Sequence, residues 1–114
     1  MNSDRRVTAR VIIELLKECS MIGEMQQASY DMIREALESM RVAEYYQHKR
    51  QLKYAGKNES TDVQIRICEV ALPALERAEK ALEKDDFDKV ITLLEKAVNA
   101  DGAKPTRRKV GRTK

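Results

Sequence analysis

The sequence predicts an all-α protein: a four-helix bundle arranged as two stacked helical hairpins, followed by a disordered basic C-terminal tail. Three observations carry this expectation. The composition is 42% apolar, 36% charged and 4% aromatic, with four glycines and two prolines in 114 residues. Such a balance favours helices over a sheet. Apolar residues recur at three- and four-residue steps through residues 7–54, a stretch of 48 residues with no proline and one glycine, Gly23. The last eleven residues carry six cations and no acid.

A chain of this length suits one domain and can bury a single core. The expected division is a helical domain over 1–102 and a polybasic tail over 103–114. The first helix is expected over 5–21, with Ser3 as a cap. Its pattern buries Val11, Ile12, Leu15, Leu16 and Cys19, at the spacing of one helical face. Near Gly23 the stripe is interrupted, and Gln26 and Ser29 follow in it. It then resumes at Ile33, Ala36, Leu37, Met40 and Ala43. One continuous helix over 7–54 would be about 72 Å long, so the spacing favours two helices, 5–21 and 24–54, with a tight turn at Gly23. A single long helix serving as a dimer seam is the other reading of the same stripe.

Gly56 supplies a stop for the second helix, as the left-handed residue beyond its last turn. Thr61 followed by Gln64 has the spacing of a capping box and starts the third helix, 61–83. Val63, Ile67, Val70, Ala71, Ala74, Ala78 and Ala81 form its seam, flanked by Cys68, Leu75 and Leu82. Pro73 lies inside this pattern. It removes a backbone hydrogen bond and clashes with the preceding turn, so a kink or restart is expected there. Asp85 and Asp86 break the pattern and cap the fourth helix, 86–100, which buries Phe87, Val90, Ile91, Leu94, Ala97 and Val98. Gly102 and Pro105 end it.

Enzyme chemistry finds little support in the residues. There is one histidine, His48, and no glycine-rich phosphate loop, metal-spaced cluster or nucleophile motif. The acids alternate with lysines at helical spacing, as on a solvated face. No cofactor, metal or small-molecule ligand is expected. Cys19 and Cys68 are too few and too far apart for a disulfide framework and read as buried thiols. No stretch is apolar enough for a membrane span, and the apolar run from Val7 is broken by Glu14, Lys17 and Glu18, unlike a signal peptide. These features lead to the expectation of a cytoplasmic protein, or a nuclear one if its source is eukaryotic.

Charge is divided unevenly. The tail cations are Lys104, Arg107, Arg108, Lys109, Arg112 and Lys114. Setting these six aside from 22 basic residues leaves 16 against 19 acids, so the body carries a net −3. A basic tail of this kind binds polyanions by releasing counterions. Residues 45–57 form a second basic segment, in which Tyr45 stands among His48, Lys49, Arg50, Lys53 and Lys57. Cations there can hold phosphates while rings stack on bases. The plainer reading is a solvated helix end.

Residues 78–101 read AEKALEKDDFDKVITLLEKAVNAD, which resembles the turn and second helix of a tetratricopeptide repeat. Ala78 matches the small helix-contact position, Phe87 the aromatic opening the second helix, and Val90, Leu94 and Ala97 the packing positions after it. Val90 stands where the family has alanine and Gly102 where it has proline. The preceding helix contains Pro73 and lacks the large aromatic. A fainter echo runs through 23–37 with one residue inserted. The two segments cover about a third of the chain. The resemblance implies stacked helical hairpins with a concave side that binds a peptide or protein. Such arrays normally hold at least three repeats, so the long second helix or self-association would complete the core.

The expected function is therefore a non-enzymatic interaction module that binds a protein partner or itself as a homo-oligomer. Met21, Met25, Met32 and Met40 are candidates for an adaptable docking face, since methionine fits irregular partners. A nucleic-acid-binding accessory protein, gripping phosphates through the tail and the 45–57 face, is the alternative.

Overall fold

The computed structural model describes residues 1–102, and the 103–114 tail with its six cations lies outside them. Four helices form: α1 (Ser3–Ile22), α2 (Gln27–Leu52), α3 (Glu59–Glu83) and α4 (Phe87–Val98), closed by a 3-10 turn at Asn99–Gly102. No strand occurs among the described residues. The fold is an all-α bundle, as the composition and periodicity predict.

Polar side chains start three of the helices. Asn2 accepts from the Arg5 amide (2.9 Å), Asn58 from the Thr61 amide (2.7 Å) and Asp86 from the Lys89 amide (3.3 Å). Each satisfies one amide of a first turn that has no partner within the helix. Asn2 and Asn58 thus replace the expected Ser3 cap and Thr61 capping box, because an Asn oxygen sits three residues before each amide it caps.

The turn at Gly23 ends α1. Gly23 has φ +87 and its amide donates to Cys19 O at 2.8 Å. A Cβ added there would meet nothing within 4 Å. The requirement for glycine is therefore the left-handed backbone, not space. A single helix through 7–54 is excluded, since residues 24–26 are not helical.

Proline 73 does not restart α3. One α-helix runs from Glu59 to Glu83 with Pro73 inside it, exposed to solvent. The turn after α3 is closed by paired bonds, Asp85 N–H to Leu82 O and Asp86 N–H to Ala81 O, each 3.0 Å. This is a Schellman closure, and it places Asp85 at φ +57.

The packing centres on α3, which lies against α2 on one side and α4 on the other. Helix α1 packs on α4, and α1 and α2 touch only sparsely. Leu16, Ile33, Leu37, Leu75, Leu82, Val90 and Leu94 are fully enclosed in one shared core. Ala71, Ala74, Ala78 and Ala81 let the neighbouring helices approach α3 closely.

Four core assignments need correction. Val11 is exposed, Leu15 is only half-buried, and Ala9 and Ile13 hold the inward positions of α1 instead. Val70 on α3 is exposed, whereas Ile65 is buried. Cys19 is half-buried, whereas Cys68 is enclosed.

Candidate functional site

Helix α1 has two apolar faces. Ala9, Ile12, Ile13 and Leu16 point inward. Val7, Val11 and Leu15 follow one another at four-residue steps, which places them on one side of the helix. Val7 is 61% and Val11 55% exposed. With Arg10, Glu14 and Glu18 these three residues line a shallow depression of about 370 Å³. Met21 and Ile22 add exposed apolar surface where the helix ends. Scattered apolar side chains on a surface are ordinary, whereas Val7, Val11 and Leu15 form an aligned row flanked by charges.

The sequence pattern places Val11 and Leu15 of this face in the core. Its signal lay in density: seven of the ten residues 7–16 are apolar. The inward stripe of a surface helix does not need that many.

The four methionines do not share one surface. Met40 is buried in the core, and Met25 is half-buried and packs against it. Met21 and Met32 are exposed. The expectation of a face made by all four fails, because Met40 lies on the inward side of α2 beside Leu37.

At the C-terminal end of α2, Tyr45, Tyr46, Lys49, Arg50 and Lys53 are exposed. The Tyr45 and Tyr46 rings meet edge to face with centroids 5.3 Å apart. Among the described residues no acid forms an ion pair with Lys49, Arg50 or Lys53. Lys57 is exposed in the turns that follow. His48 departs from this group. Its side chain is 21% exposed and turns toward α3, with Nε2 at 3.5 Å from Glu69 Oε2. It therefore sits between two helices instead of facing outward with the lysines, and its Nε2 makes no hydrogen bond among the described residues.

Glu44 directly precedes the exposed tyrosines and cations of α2, yet it is fully enclosed. Arg5 Nε donates to its Oε1 at 3.1 Å, and the Met1 amino group lies 3.7 Å from Oε2. Arg5 also donates to Gln47 Oε1. Cys68 of α3 lies beside Glu44. Burial, reinforced by the Glu44 charge, pushes this thiol up to about 12. Glu44 thus ties α1, α2 and α3 together at one end of the bundle, and Cys68 is held as an unreactive thiol.

The opposite end holds an open cleft of about 740 Å³ between the two interhelical turns, where Glu24, Glu83, Asp85, Asp86 and Asp88 surround Met25, Tyr30 and Phe87. Two of these acids already have work within the fold. Asp86 caps α4, and Asp88 accepts from Ser20 Oγ at 3.2 Å. Among the described residues, no group of three or more His, Cys, Asp or Glu could hold a metal ion, and no helix is long and apolar enough to cross a membrane.

The hairpin singled out by its resemblance to a tetratricopeptide repeat is formed by α3 and α4. Ala78, Val90, Leu94 and Ala97 are enclosed, and half-buried Phe87 opens α4. No family model, no curated protein and no solved structure matches this chain.

Proposed function

We propose that this protein is a non-enzymatic interaction module, and that the outer face of α1 is its docking surface for an amphipathic helix. The observation that carries the reading is the second apolar row, Val7, Val11 and Leu15, outside a core already filled by Ala9, Ile12, Ile13 and Leu16. Burying aliphatic side chains of this size removes roughly 1.5–3 kcal/mol each from the free energy of a complex. A helix laid in the groove would meet charged flanks at Arg10, Glu14 and Glu18. Two cysteines with no disulfide between them suit a reducing compartment such as the cytoplasm.

The test compares wild-type protein with Val11→Asp in affinity capture from cells that make it, read by quantitative mass spectrometry. A partner retained by the wild type and lost by Val11→Asp supports the reading. Equal retention by both, or no specific partner for either when another copy of the chain is counted as a partner, contradicts it.

A second reading is favoured by one observation, the unpaired cations beside half-exposed Tyr45 and Tyr46 on α2. There the protein would hold single-stranded nucleic acid through phosphates and stacked bases. Fluorescence anisotropy with a labelled oligonucleotide separates this from passive charge. Specific use of the face requires a marked loss in Lys49→Glu/Arg50→Glu and a smaller loss in Tyr45→Ala. Binding that depends only on salt and total charge would count against it.

A further inference from the structure

The arrangement of charge along the exposed row of α1 singles out one occupant, a second copy of the same helix. This inference rests on the reading of that face as a docking surface and names its partner. Val11 lies midway between Val7 and Leu15. If two copies of α1 cross antiparallel about a two-fold axis at Val11, Val7 of each copy faces Leu15 of the other. Arg10 and Glu14 lie on the same flank of the row, one before and one after the axis. The two-fold operation then brings Arg10 of each copy beside Glu14 of the other. A two-fold interface must be complementary to itself in this way.

The present partners of these side chains leave them available. Arg10 has none among the described residues. Glu14 pairs with Lys17 at 3.7 Å, and both side chains are at least half exposed (72% and 50%). Surface pairs of this kind hold weakly and exchange readily. Two acids, Asp4 and Glu18, would face each other if the helices ran side by side. Rows of residues at four-residue steps on both helices instead interlock at a crossing angle of about 50°. The ends then diverge, and contact is confined to the turns around Val11. We propose that the protein forms a reversible antiparallel homodimer through Val7, Val11 and Leu15, registered by reciprocal Arg10–Glu14 pairs. Contact over a few turns falls below about 1,200 Å² of buried surface, the range of transient complexes.

The experiment uses the full chain in sedimentation equilibrium over a concentration series, with circular dichroism to verify folding. The wild type should show a concentration-dependent monomer–dimer equilibrium. Val11→Asp should weaken it by at least about tenfold while the melting curve stays close to wild type, since the side chain is exposed. Arg10→Glu alone and Glu14→Arg alone should each weaken it by roughly five- to tenfold, because each change turns two attractive pairs repulsive. Mixing the two variants should restore association as a heterodimer, and the double variant should restore the homodimer. A folded wild type that stays monomeric overturns the proposal. So does a dimer insensitive to Val11→Asp, or charge reversals that are not rescued by mixing.

The protein is also titrated with an unrelated amphipathic helical peptide and followed by amide NMR. A monomer that takes this peptide at Val7, Val11 and Leu15 overturns self-pairing and leaves the docking face standing. A monomer that takes neither copy nor peptide removes both.

Discussion

Glu44, Cys68 and Asp85 show how individual residues depart from what their types suggest. Glu44 is charged, yet it is enclosed among groups from three helices. Removing one partner from a buried ion pair leaves the other uncompensated, at a cost of about 3–5 kcal/mol. Glu44→Ala should therefore lower the urea midpoint sharply. An unchanged midpoint would show that the carboxylate does not tie the helices. Cys68 has a pH signature. Its thiol titrates near 12 in the fold, above its ordinary value of 9.0. The unfolded chain therefore loses this proton first as pH rises, and the folded state loses stability between about pH 9 and pH 12. The stability difference between wild type and Cys68→Ala should shrink by up to about 1.4 kcal/mol per pH unit in that window. A difference independent of pH would contradict the assignment. Asp85 holds a left-handed backbone at φ +57 beside other acids. Glycine adopts this conformation freely, so Asp85→Gly should stabilise the protein by about 0.5–1 kcal/mol, read as a higher melting temperature.

At the scale of elements, α1 presents two faces with different duties. Leu16→Ala on the inward face should cost roughly 2–5 kcal/mol. Val11→Asp on the outward face should change stability by less than about 0.5 kcal/mol. If both destabilise equally, the outer row is packed and cannot be a docking surface. The four elements were legible in the sequence because each carries a helical stripe and a break: Gly23, Gly56 and the Asp85–Asp86 pair. The direction in which α1 faces was not legible. Apolar residues occupy so much of its circumference that periodicity alone admits more than one orientation, and only the packing of α4 against Ala9, Ile12, Ile13 and Leu16 selects among them. Pro73 was legible as a residue but not in its effect, since tertiary packing on both sides of α3 keeps the helix continuous through it.

For the whole molecule, α3 and its two neighbours form the packed centre, while α1 rests on α4 and is tied to α2 chiefly at one end. Glu44 could not be recognised from sequence as part of that tie. Its partners Arg5 and Cys68 lie 39 and 24 positions away, and they converge only when the two hairpins stack. The proposed docking face arises from the same layout. Because α1 is an outer helix, its second apolar row is left open when the core closes. Site-specific photo-crosslinking in cells reads out contact at this row, with a photoreactive side chain placed at position 11 and, as a control, at exposed position 77 on α3. A docking row predicts a discrete adduct from position 11, with a second copy of the chain or a partner protein, and none from position 77. No adduct at position 11, or the same adducts from both positions, would contradict it.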